Sequence, residues 1–120
     1  MPLQLGDTFI LGSGGHLWVA ISDPSKHNGH SIIVNITTDS FRAGTECDLD
    51  PGDHKWVKHK SYVSFRDAQK VGPKEDARIA KLIKDGVITT HYPMAQAVLK
   101  KIIAAAKISK SLPEGFKNYL

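Results

Sequence analysis

The sequence predicts an α+β fold: a small, strongly bent antiparallel sheet or barrel, with one or two helices from its C-terminal part packed on it. Three observations carry this. Short alternating or β-branched runs fill the chain as far as residue 68; clusters of Gly, Pro, Asn and Asp separate them; and helical spacing of apolar residues begins only after Gly72-Pro73. With 120 residues and 41% apolar content, the chain suits one domain, 1–120, around one core. Charged residues at 23%, with ten glycines and six prolines, fit neither the disordered nor the collagen-like class.

Asp7 to Leu11 is a short apolar run, and Gly12-Ser13-Gly14-Gly15 reads as a turn or loop. From His16 to Ser22 the residues alternate, with Leu17, Val19 and Ile21 on a core face and His16, Trp18 and Ala20 on the other. After the polar turn Asp23 to Gly29, the β-branched run Ser31 to Thr37 completes a hairpin. Thr38 to Gly44 reads as a polar loop. Glu46 to Leu49 is a short strand closed by the turn Asp50-Pro51-Gly52-Asp53. Lys60 to Ala68 alternates again, Ser61, Val63 and Phe65 against Tyr62, Ser64 and Arg66. Lys74 to Lys84 reads as a helix with an Ile79, Leu82, Ile83 stripe ended by Gly86, and Val87 to Thr90 as one more strand. A last helix is expected from Pro93 to Ile108, its face formed by Met94, Ala97, Val98, Ile102, Ala105 and Ile108.

The lone Cys47 excludes an internal disulfide and reads as a packing residue. No basic stretch followed by an apolar run opens the chain, and no apolar run reaches ~18 residues, so a cytoplasmic protein without a membrane partner is expected. The formal charge of +4 is unevenly placed: residues 1–53 carry net −5 and residues 54–120 net +9. The basic part suits a phosphate-bearing partner, or else is a solvated Lys-rich surface.

Six histidines are the candidate proton carriers. His27, His30 and His91 sit at turns and read as solvated loop residues. His16 follows the glycine loop and opens a strand, beside Thr37 and Thr38, whose hydroxyls close the neighbouring one. The segment Pro51 to Tyr62 concentrates polar chemistry, with His54, His59, three lysines, Ser61 and two aromatics. Were the chain to bend there, two imidazoles in different surroundings would serve as base and acid while lysines and hydroxyls hold a phosphate and Trp56 stacks on a base. The alternative makes Trp56 and Val57 core and leaves the lysines solvated. His54 and His59 lack zinc spacing, no Cys-x-x-Cys occurs, Ser61 has no nucleophile elbow, and the glycine loop lacks a P-loop ending, so no metal or nucleotide cofactor is expected.

The order of motifs resembles the MazF/PemK-like toxins of bacterial toxin-antitoxin systems. It is carried by Gly6-Asp7 before the first strand, a glycine loop, Val19-Ala20-Ile21-Ser22, Ile36-Thr37-Thr38, and Ser61-Tyr62-Val63 followed by Asp67-Ala68-Gln69-Lys70-Val71. The likeness covers about residues 6 to 71, with Pro93 to Ile108 in the place of the family's closing helix and residues 72 to 92 in the place of an insertion. It implies an SH3-like barrel, a homodimer, metal-independent cleavage of single-stranded RNA, and silencing by an antitoxin protein. His16-Leu17 stands where the family has an Arg-Pro pair, so the usual catalytic arginine is absent, and Thr37 matches the family's strand-end threonine or serine. The expectation is therefore an endoribonuclease with His16, His54, His59 and Thr37 as catalytic candidates, two of the histidines moving the protons. Lys58, Lys60, Ser61, Trp56 and Thr38 are the RNA-binding candidates. The other readings are a non-catalytic basic module for nucleic acid or protein, and a barrel toxin that inhibits a protein.

Overall fold

The computed structural model describes residues 3–11 and 15–120; most of the glycine loop, Gly12 to Gly14, lies outside them. The described residues form strands β1 (Thr8–Leu11), β2 (Leu17–Ala20), β3 (Ser31–Thr37), β4 (Asp48–Leu49), β5 (Ser61–Val71) and β6 (Ile88–His91). The helices are α1 (Ser40–Ala43), α2 (Asp76–Lys84) and α3 (Gln96–Ile108). The strands make one antiparallel sheet in the order β4-β5-β3-β2-β1-β6, as expected of an α+β chain with helices packed on a small sheet. No helix among the described residues is long and apolar enough to cross a membrane.

The alternation read in the sequence fixes the inner face. Leu17, Val19, Ile21, Ile32, Val34, Ile36, Val63 and Phe65 are all fully buried there, under α3 and the turn carrying Val57. A smaller cluster lies on the opposite face, where Ile79, Leu82 and Ile83 of α2 cover Phe9, Ala20, Ile33 and Ile88. β3 is thus sandwiched, and each of its seven residues is buried.

The bend comes from β5. Ser31 to Ile33 pair with Val71 to Gln69, whereas Asn35 to Thr37 pair with Ser64 to Tyr62, so Val34 alone faces the four residues 65–68. This surplus breaks the ladder and turns the strand, as bulges do. Gly6, at φ +89°, makes a second constraint visible: its N–H donates to Ala20 and its carbonyl accepts from Met94, a linkage made at a backbone angle that favours glycine.

Two expectations change. Pro93 does not open the last helix, because the Met94 N–H is held by Gly6 and the helix starts at Gln96. Its buried face is Leu99, Ile102 and Ala106, one position round from the expected stripe, and Ile108 is 81% exposed. The segment read as a loop after Thr38 contains α1, whose N-terminus Asp39 caps by accepting the Arg42 N–H and whose end is Gly44 at φ +76°.

Candidate functional site

Antiparallel pairing brings the start of β2, the end of β3 and the start of β5 to one end of the sheet. Leu17 pairs with Ile36, so His16, one residue earlier, stands level with Thr37; Thr37 pairs with Tyr62, and Tyr62 with Asp48. Alternation places His16 and Trp18 on the face opposite Leu17, the face shared by Asn35, Thr37, Tyr62 and Ser64. His16 is exposed, while Thr37 is only 4% exposed.

A polar circuit starts from that threonine. Its Oγ1 accepts the Asp39 N–H at 3.1 Å, and Asp39 accepts the Arg42 N–H at 3.2 Å. Arg42 Nε donates to Asp67 Oδ2 at 3.3 Å, and the same oxygen accepts the Ser64 hydroxyl at 2.7 Å. Ser64 pairs with Asn35, which closes the circuit back to β3. Arg66 adds a bond from Nη1 to the Arg42 carbonyl at 3.3 Å. The Ser64 hydroxyl, and after it the Arg42 guanidinium, hold the Asp67 carboxyl below its usual range against partial burial. The surplus residues of β5 supply Arg66 and Asp67, so the irregularity that bends the sheet also furnishes its polar end. This end of the sheet thus offers an exposed imidazole level with a strand-end hydroxyl and, beyond Asp39, two guanidiniums, groups whose chemistry suits proton exchange and anion binding.

The histidine-rich segment is differently employed. His54 is 5% exposed; its Nε2–H donates to the Tyr92 carbonyl at 2.7 Å and its Nδ1 accepts the Trp56 N–H at 3.0 Å. Thr8 donates its hydroxyl to the same Tyr92 carbonyl. Both ring nitrogens are therefore bound to backbone, which assigns His54 a structural role in place of the expected catalytic one. Thr8 pairs with Val19, three residues along β2 from His16 and on the other face, so His54 and His16 do not converge. Trp56 packs against the inner core, as the alternative reading had it. Lys60 bonds Asp48 at 2.6 Å and Asp50 at 3.1 Å, which raises its pKa, and the buried Ser61 donates to the His59 carbonyl at 2.9 Å. Lys60 is thus shared with two carboxylates and Ser61 is turned to backbone. Lys58, His59 and Thr38 are exposed. Thr38 follows Thr37, and Lys58 and His59 precede β5 at the same end of the sheet as His16.

Sequence reasoning passed over Arg42, Arg66 and Asp67 as site residues. A signal was present: Arg42 is one of only two basic residues before residue 54, and the chain has three arginines in all, two of which meet here. Elsewhere, His27 and His30 are not free loop residues but pack on Tyr119, with ring centroids 5.5 and 6.2 Å away. Cys47 is buried, and burial pushes its thiol up to about 11. Among the described residues no three His, Cys, Asp or Glu side chains cluster so as to hold a metal ion. No protein-family model matches the chain, and a search of curated proteins finds no match.

Proposed function

We propose that this chain is an endoribonuclease of the toxin-antitoxin type, acting on single-stranded RNA in the cytoplasm without a metal or cofactor, and centred on His16 and Thr37. The observation that supports it best is the level placement of the exposed His16 and the strand-end Thr37, with Thr37 linked through Asp39 to Arg42 and Asp67. In the reaction a base takes the proton of the ribose 2′-hydroxyl and the freed oxygen attacks the adjacent phosphorus. The P–O5′ bond then breaks as an acid gives the leaving oxygen a proton, which leaves a 2′,3′-cyclic phosphate and a 5′-hydroxyl. His16 moves one proton. His59, exposed and just before β5 at the same sheet end, takes the other role in place of His54. The Thr37 hydroxyl and the guanidiniums stabilise charge on the phosphoryl oxygens. In this reading a homodimer and a silencing antitoxin protein complete the system.

The test is incubation of the purified chain with a long single-stranded RNA in excess chelator. Discrete fragments ending in cyclic phosphate are expected, with His16→Ala slowing their appearance by ~100-fold or more. Intact RNA across substrates of all sequence contexts would overturn the proposal. The commitment of His54 to backbone favours a second reading, a non-catalytic nucleic-acid module, since it removes one candidate proton carrier. That module would bind RNA with steep salt dependence and leave it uncut.

A further inference from the structure

α1 is a four-residue helix, too short to persist alone, yet it is tied at several points. Asp39 caps it, Arg42 is fastened to Asp67, Arg66 bonds its carbonyl at Arg42, and Ala43 is buried against the sheet. Residues two apart on a helix lie about 200° round its axis, so burying Ala43 aims Phe41 away from the protein. Phe41 is 97% exposed, the most exposed of the large apolar side chains described. Its chain neighbour is Arg42, and Arg66 is hydrogen-bonded to that same residue. An aromatic ring fully in water on a tethered backbone, with Arg42 next in the chain and Arg66 bonded to the Arg42 carbonyl, suits a base attached to a phosphate: the ring offers its face to the base and the arginines offer donors to the phosphate oxygens. No carboxylate other than Asp67 pairs with either arginine among the described residues.

We propose that Phe41 is a stacking platform for one unpaired nucleobase of the RNA strand, with Arg42 and Arg66 holding the adjoining phosphate. The proposal rests on the reading of the protein as one that binds single-stranded RNA; it does not require cleavage. Through Asp39 and Thr37 the platform is tied to the end of β3, so a base stacked on Phe41 fixes which phosphodiester lies over Thr37 and His16. Phe41 is thereby a residue that sets the register of the substrate, not one that moves protons.

The experiment measures binding of a fluorescent 2′-O-methyl oligonucleotide, which lacks the attacking hydroxyl, to wild type, Phe41→Ala and Phe41→Trp. An abasic strand of equal length serves as the comparison, and each variant's thermal unfolding is recorded. Phe41→Ala is expected to weaken binding of the base-bearing strand by about tenfold or more, to leave the abasic strand unaffected, and to unfold like wild type, with Phe41→Trp restoring affinity. Equal affinity of wild type and Phe41→Ala for the base-bearing strand would overturn the platform while leaving the cleavage assay to stand or fall separately. Failure of wild type to bind either strand would overturn both the platform and the RNA reading. A Phe41→Ala effect on self-association, with none on nucleic acid, would assign the ring to a protein contact and overturn the platform.

Discussion

His54→Ala should unfold the protein early instead of disabling a chemical step. The substitution removes the bond to the Tyr92 carbonyl and the acceptor for the Trp56 N–H. A neutral hydrogen bond is worth a net of about 0.5–1.5 kcal/mol, and a buried donor left alone costs about 1–3 kcal/mol. Tyr92 keeps the Thr8 hydroxyl, so its carbonyl is not orphaned, and the main loss is the bond itself; Trp56 N–H bears the larger penalty. The sum is about 3 kcal/mol, which for a domain of this length lowers Tm by about 12 °C. Calorimetry and urea titration read it directly. Two further substitutions divide the effect. The short amide introduced by His54→Asn would mimic Nδ1 and keep Trp56 satisfied, whereas the longer amide of His54→Gln reaches toward Tyr92, so each should recover part of the loss. Nitrogen NMR should show the proton on Nε2. An alanine variant melting within about 2 °C of wild type but inactive on RNA would return His54 to the chemistry.

Other outcomes follow from the same geometry. Thr37→Val, nearly the same shape, should keep the fold and reduce RNA cleavage by about tenfold or more, since a charge-stabilising hydroxyl is lost; single-turnover rates check this. Asp67 has a folded pKa below its unfolded value, so its contribution is fully present above the ordinary carboxylate range and is lost as pH falls through the folded value. Asp67→Asn should therefore destabilise by about 1 kcal/mol at neutral pH and lose most of that difference as pH falls below the ordinary carboxylate range, measured by urea titration at each pH. Cys47, buried and with its thiol at about 11, should resist thiol reagents at about pH 8 until the protein unfolds, so that labelling and denaturation follow one curve.

The strands were legible because their inner faces alternate cleanly: Leu17, Val19 and Ile21 carry their burial in their spacing. The last helix was legible in its presence and its end, but neither in its start nor in its rotation. Its Ala104-Ala105-Ala106 run offers no apolar contrast, and the contacts that select Leu99 and Ala106 come from distant strands. α1 was hidden because four polar-flanked residues show no period. The proximity of His16 and Thr37 followed from motif order, but the Arg42–Asp67 link spans 25 residues and depends on the surplus in β5, which no local pattern announces. His54 escaped for a different reason. Its partners are a backbone carbonyl and a backbone N–H, groups nearly every residue possesses, so the chain carries no written sign of them.

The two outermost strands, β4 and β6, share no ladder. The chain after one meets the chain after the other through side chains: the His54 imidazole on the Tyr92 carbonyl, Lys55 lying 4.0 Å over the Tyr92 ring, and Val57 and Met94 sharing one core. Such a seam, made of side chains and not of paired backbone, can part without unpairing any strand, and reclose without re-registering any. Amide exchange near Trp56 and Met94 should consequently outpace that of β3, whose neighbours hold it on both sides, and any motion that widens the molecule should begin along this line.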